Sequence, residues 1–253
     1  MPLAAKKQRR KVIVAGRYVR CIQYSTNTNP DVRRTRAPKT EISSVARETL
    51  NLRYSWQKLK ALICANFLPS DLVIGLTYRD HDLPPTRRDA ENHLKLFIRH
   101  LRAERRSKGQ KLIYIYVTEK GHSSGRLHHH IIINSTGNDY DTVRKLWSKY
   151  GDDVDISTIS RRGYDGWAHY LSKESREEGR RYVGERMWRS CQGLNRPQTY
   201  SGWVSKYDRL EPPPGALEID QQQRSNVYGD FIYLEFLIPK KSKNSLALIS
   251  DLS

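Results

Sequence analysis

Between residues 72 and 159 the apolar residues switch their period in a fixed order, and this limits the available folds more than any other feature of the chain. Leu72 to Tyr78 (LVIGLTY) is a continuous apolar run rich in strand-forming residues. Pro85 then opens a helix in which Ala90, Leu94, Phe97, Ile98 and Leu101 share one stripe, closed by Gly109. Leu112 to Glu119 (LIYIYVTE) is a second strand, KGHSSGR a polar turn, and Leu127 to Asn134 (LHHHIIIN) a third strand, which together predict a hairpin. Asp139 is placed to cap a short helix with Val143, Leu146, Trp147 and Tyr150 on its apolar side, ended by Gly151. Val154 to Ile159 alternates as a fourth strand. The order β-α-β-β-α-β predicts an α+β, ferredoxin-like or RRM-like antiparallel sheet with both helices on one face. The opposite face is then free for a ligand or a further helix, for which Tyr164 to Ser175 is the nearest segment.

The flanks are less regular. Ser43 or Ser44 begins a helix reaching Phe67, with Leu52, Trp56, Leu59, Ile63 and Phe67 at helical spacing and Arg and Lys on the other side. Before it, residues 1–42 combine a strand-like piece, Val12 to Ile22, with a polar stretch of Pro and Arg ending near Pro38, and read as a basic, partly mobile arm. Beyond Arg176 lie a basic stretch at 184–197, a structure-breaking PPPG at 212–215 and a late strand, Asp230 to Leu237, able to join the sheet. The division expected is an arm at 1–42, one domain at 43–237 (core 71–175, accessory segment 176–237) and a flexible tail at 238–253.

Lys and Arg number 45 against 27 Asp and Glu, a net charge of +18. A chain so basic, with a pI near 9.9, suits an acidic polymer as partner, bound with strong salt dependence. Fifteen Tyr and five Trp supply rings on which unpaired bases can stack. Cys21, Cys64 and Cys191 are too scattered for a disulfide framework, and no apolar run of about 18 residues or secretory leader is seen. The expectation is a cytoplasmic protein without membrane contact. No G-x-x-x-x-G-K-[ST] is present, so no fused helicase is expected.

His128 and His130 are two apart in a strand, and the pleat projects both imidazoles from one face. Glu119 ends the partner strand of the hairpin, where a suitable register sets its carboxylate beside them. Two nitrogens and an oxygen with positions left open suit Mg²⁺ or Mn²⁺ rather than structural zinc. The plainer alternative is a histidine-rich strand whose rings are hydrogen-bonded, with Glu119 a solvated turn residue. His129 projects to the other face as a structural residue. In WAHYLSKE, Tyr170 and Lys173 are one helical turn apart and present a phenol and an ammonium together, a pairing that amphipathic helices often contain without function.

Glu119, the His128-x-His130 pair in RLHHHIIIN, and Tyr170-x-x-Lys173 resemble, in order and spacing, the three motifs of HUH-class replication initiators. LVIGLTY is similar to the first motif of that class. LKALICANF before it and MWRSCQGLNRP after the tyrosine helix resemble initiators of phage and plasmid-type elements of Gram-positive bacteria, over roughly residues 45 to 237. One departure is the central His129, where those proteins carry an aliphatic residue. The resemblance implies Glu119, His128 and His130 as metal ligands, Tyr170 as nucleophile and Lys173 as its electrostatic support. It also implies a covalent 5′-phosphotyrosine during rolling-circle replication, single-stranded or hairpin origin DNA as substrate, a host helicase and polymerase, and transient self-association. Arg126, Arg161 and Arg162 are candidate phosphate contacts. Competing readings are a non-catalytic nucleic-acid-binding module on the same fold, a metal-dependent hydrolase acting through water, and an HUH transposase or relaxase.

Overall fold

The computed structural model describes residues 7–26, 45–121, 125–172, 186–205, 207–226 and 229–239. The chain divides into two compact units, Lys39–Leu194, and Met1–Pro38 with Asn195–Ser253. These boundaries differ from the composition-based ones at 42 and 237. No helix among the described residues is long and apolar enough to cross a membrane.

The Lys39–Leu194 unit is built on a five-stranded antiparallel sheet of β3 (Leu72–Thr77), β4 (Tyr114–Lys120), β5 (Leu127–Ile133), β6 (Val154–Thr158) and β7 (Arg189–Ser190). Its strand order is β6-β3-β5-β4-β7, so the β-α-β-β-α-β core expected from periodicity is present with β7 added at one edge. Thr86 starts α2 (Arg87–Ser107), its hydroxyl accepting from the Asp89 amide at 3.2 Å, and satisfies one of the free donors of the first turn. The stripe Ala90, Leu94, Phe97, Ile98 and Leu101 is buried on the sheet together with Val143 and Trp147 of α3 (Asp139–Trp147). Each of the larger side chains contributes roughly 1.5–3 kcal/mol by leaving water. Asp139, expected as the cap of α3, is instead its first residue, after Asn138. It is buried and engaged at 2.7 Å by Arg105 of α2, and accepts from the Thr136 amide. A carboxylate beside a buried guanidinium gains more from that charge than a solvent-facing cap would.

The opposite face carries α1 (Val45–Asn66) and α4 (Gly163–Leu171). Leu59 and Ile63 from the first, with Phe67 just after it, and Trp167, Ala168 and Leu171 from the second, pack on Val73, Ile115, Val117 and Ile132. The fold is therefore α+β with helices on both faces. The helix predicted to run from Tyr164 to Ser175 ends at Leu171, with Ser172 in the cap position. Lys173, the caps at Ser43 or Ser44, the stretch 33–40 and the tail beyond Pro239 lie outside the described residues.

The other unit is a second antiparallel sheet of β1 (Lys7–Ala15), β2 (Tyr18–Thr26), β8 (Gln198–Val204), β9 (Leu217–Asn226) and β10 (Gly229–Leu237), in the order β8-β1-β2-β10-β9. The late strand is thus present, whereas the single strand-like piece expected over Val12 to Ile22 is parts of two antiparallel strands that turn at Gly16, whose φ is 61°. However, β10 pairs with β2 and β9 rather than joining the first sheet. Periodicity identifies a strand but not its partner, and the paired residues of β2 and β10 are some 200 residues apart along the chain. Val12, Val19, Cys21, Leu234 and Phe236, with Leu210, form this unit's core on one side of the sheet.

Candidate active site

Alternation along β5 sorts its residues. His129, Ile131 and Ile133 face α2 and α3, whereas His128, His130 and Ile132 face the α1/α4 side. His129 is completely buried, 2.8 Å from the Tyr78 hydroxyl through Nε2 and 2.9 Å from Thr118 Oγ1 through Nδ1. Burial, and then the neighbouring histidines, hold its pKa well below the usual range. Both ring nitrogens are engaged and the ring stays neutral, which is a structural role.

Glu119 is directly opposite His128 in the β4–β5 ladder, and Val117 opposite His130. The hairpin register therefore gathers one carboxylate and two imidazoles on a single face. Glu119 Oε1 lies 3.1 Å from His128 Nε2 and 2.8 Å from His130 Nε2. Glu119 and His130 are buried, and His128 is half-buried. Burial would by itself lift the Glu119 carboxyl, but the two imidazoles outweigh it and bring it down to about 2, so the carboxylate is ionised in the neutral range.

The three groups fit a metal ion. Their ligand atoms all lie within 4.8 Å of one another. His130 Nε2 is enclosed without a hydrogen bond, 2.8 Å from Glu119 Oε1. A buried nitrogen left in this way costs free energy that coordination would recover. The mixed N, N, O donor set is compatible with several divalent ions and does not by itself select one.

Tyr170 comes from α4. Its ring centroid is 4.8 Å from that of His130, at a steep angle, and Arg162 Cζ sits 4.6 Å over the Tyr170 ring and 5.1 Å over that of Trp167. Burial raises the phenol's pKa, the Glu119 and Asp155 charges raise it further, and the Arg162 charge opposes them. Arg162 is exposed and stands over the Tyr170 ring, a cation–π contact. Arg161 is exposed in the preceding turn. Arg126 is committed elsewhere, to Asp80 and, at 2.6 Å, to the Tyr78 carbonyl. Lys173 falls beyond the described residues.

Several residues around the site give no signal in the sequence. Gly75 of β3 is paired with His130 on one side and Asp155 on the other. A Cβ placed there would stand 3.6 Å from Asp155 Cβ and 3.7 Å from His130 Cε1, so the glycine keeps the floor beside His130 low. Asp155 is consequently a second carboxylate on this face, legible only once β6 is known to flank β3. Lys60 of α1, nearly buried, meets Asp165 of α4 at 2.8 Å, and Trp56 stacks obliquely on His169 at 4.1 Å. These two contacts tie α4 to α1 through Asp165 and His169, one helical turn apart and both ahead of Tyr170.

No curated protein and no solved structure matches the chain. Residues 71–175, from the residue before β3 to just past Tyr170, match a family model described as replication-associated protein ORF2/G2P, and over this stretch the chain is similar to that replication-associated family.

Proposed function

We propose that the chain is an HUH-class replication initiator that nicks and rejoins single-stranded origin DNA through a covalent bond to Tyr170. The observation that carries this reading is the meeting of the Glu119, His128 and His130 cluster with the Tyr170 ring, 4.8 Å from His130. The match of residues 71–175 to a replication-associated family supports it, and so does the net charge of +18.

Tyr170 Oη attacks the phosphorus of the scissile diester. The Oη–P bond forms and the P–O3′ bond breaks; the phenol proton passes to water, and the departing 3′-oxygen takes one up. The products are a 5′-phosphotyrosine and a free 3′-hydroxyl. Because the new ester replaces the old one, a later 3′-hydroxyl can reverse the step and join ends without a nucleotide cofactor. A phenol with a raised pKa is a poor nucleophile near neutrality, so its surroundings must help. Glu119, His128 and His130 would hold a Mg²⁺ or Mn²⁺ ion, which when bound would supply Lewis acidity toward the phosphate. Arg162 stabilises the phenolate from the ring face and draws the phosphate towards it. Lys173, three residues after the nucleophile, adds positive charge. The substrate is unpaired or extruded as a hairpin, since the attacked strand must enter a site on a sheet face. A host helicase and polymerase act with the initiator, and a single tyrosine makes transient self-association part of the cycle.

Incubating the full chain with labelled single-stranded origin DNA and Mn²⁺, followed by a denaturing protein gel, tests the reading. A labelled protein band that disappears in Tyr170→Phe is expected. Cleavage with no protein-linked label, or a band that survives in Tyr170→Phe, overturns it.

A further inference from the structure

The second sheet has one face turned inward and one row of its other face open. Its core lies under Val12, Val19, Leu234 and Phe236. On the opposite face the register sets five residues side by side across all five strands. Trp203 of β8 is paired with Arg9 of β1, Arg9 with Tyr24 of β2, Tyr24 with Phe231 of β10, and Phe231 with Arg224 of β9. Directly paired residues project to the same side, so the row reads Trp, Arg, Tyr, Phe, Arg.

These rings are not core residues. Trp203 is 45% exposed and Phe231 37%, Arg224 is exposed, and Arg9 and Tyr24 are partly so. The Arg9 guanidinium donates to Ser201 Oγ at 3.0 Å and lies 5.9 Å from the Trp203 ring centre. The next row inward places Lys11 between Ser201 and Ile22, and neither row contains an acidic residue. With strands about 4.8 Å apart, the row is about 19 Å long. Aromatic rings for bases, alternating with cations for phosphates, form a platform for an unpaired strand; a duplex hides its base faces and cannot use the rings.

We propose that this row is a second nucleic-acid site, separate in kind from the nicking site, that binds single-stranded DNA by stacking on Trp203, Tyr24 and Phe231 and pairing phosphates with Arg9 and Arg224. The choice of DNA over RNA rests on the proposed function; the binding mode rests on the sheet. The site holds the strand without reading its sequence, because every base offers a ring face.

The test uses the full chain carrying Tyr170→Phe, so that binding is measured without covalent capture, and a fluorescein-labelled oligo(dT) of about 20 nucleotides read by anisotropy. Trp203→Ala and Phe231→Ala are each expected to weaken binding about fivefold or more, while Trp203→Phe, which keeps a ring, recovers most of the loss. Arg224→Gln is expected to reduce the slope of log affinity against log salt by about 0.7. Photocrosslinking from bromodeoxyuridine is expected to label peptides of β8 or β10. Unchanged binding in the Trp203→Ala, Phe231→Ala double variant overturns the proposal, as does a duplex of the same length binding as tightly. Tighter binding of oligo(rU) than of oligo(dT) assigns the surface to RNA and overturns the choice of DNA. If no covalent product forms with Tyr170 intact but the ring variants still lose oligonucleotide, the nicking reading fails and this one stands. The reverse pattern removes this one alone.

Discussion

Replacing Glu119 with Gln separates the metal site from every other explanation of the clustered histidines. Glu119 Oε1 is the shared neighbour of His128 Nε2, at 3.1 Å, and His130 Nε2, at 2.8 Å, so the substitution removes the only anion among the three ligand groups while nearly keeping their shape. Without metal, the variant loses charge-assisted contacts and is expected to be less stable at neutral pH by about 1.5–3 kcal/mol. The sign with pH follows from the direction of the shift. The folded carboxyl is depressed to about 2, so its contribution is fully present above the unfolded value, roughly 4, and disappears as pH falls through the folded one. With Mn²⁺ at about one hundred times its dissociation constant, linkage adds about 2.7 kcal/mol to the wild type. For a unit of this size that is a rise in melting temperature of about 5 to 11 °C. The assay is thermal unfolding by circular dichroism, with and without Mn²⁺, in both proteins. The wild type is expected to show the rise and Glu119→Gln to lose most of it. An equal rise in the two proteins would place the ion elsewhere and refute the assignment of these ligands.

Gly75→Ala is expected to be nearly neutral, since its Cβ meets only ordinary contacts of 3.6 and 3.7 Å. Gly75→Val drives further methyls towards His130 and should reduce both the Mn²⁺-dependent melting shift and nicking at least tenfold, measured side by side. Arg162→Gln removes the charge that opposes the upward pull of burial, Glu119 and Asp155 on the Tyr170 phenol; the phenol's pKa rises further, and the rise of the nicking rate with pH should move to more alkaline pH. An unshifted profile would exclude Arg162 from activating the phenol. His129, held neutral by burial, should make the fold lose stability as pH falls below about 6.5, where the unfolded chain takes up a proton that the folded one refuses. This loss is at most about 1.4 kcal/mol per pH unit for one group, and comparing urea unfolding of wild type with His129→Asn across that range isolates it.

The sheet that carries the site was legible because its information is local. A period of two along β5 separates His129 from His128 and His130, and one short connection after β4 sets the register that brings Glu119 opposite His128. The second sheet was not legible in the same way. Val12 to Ile22 reads as one strand-like piece although the chain turns back within it, between β1 and β2, and the pairing of Phe231 in β10 with Tyr24 joins residues too distant in sequence for any turn to specify. The same limit hid Gly75 and Asp155, whose place beside His130 depends on β3 lying between β5 and β6. It also hid Lys60, which as a lysine on a helix reads as solvated and is instead nearly buried against Asp165. The pairing of Arg126 with Asp80 was hidden for a related reason: the two are distant along the chain and adjacent only across the fold.

Tyr170 depends on more than the sheet that holds Glu119, His128 and His130. Glu119, His128 and His130 are fixed by one hairpin, whose ladder bonds would orient them even if the helices shifted. Tyr170 has no such ladder. It rides on a nine-residue helix, too short to be stable by itself, and its position is set by what the helix packs against. That is the sheet, through Val73, Ile115, Val117 and Ile132, and α1, through Leu59 and Ile63, the Lys60–Asp165 pair and the Trp56–His169 stack. Yet α1 ends at Asn66, before the 71–175 stretch that matches the replication-associated family. The matched segment thus contains all four proposed groups and the sheet under α4, but lacks α1, which packs on α4 as well. In such an arrangement the metal site and the nucleophile respond separately to mutation, and changes in α1 would alter the rate of strand transfer while leaving metal affinity intact.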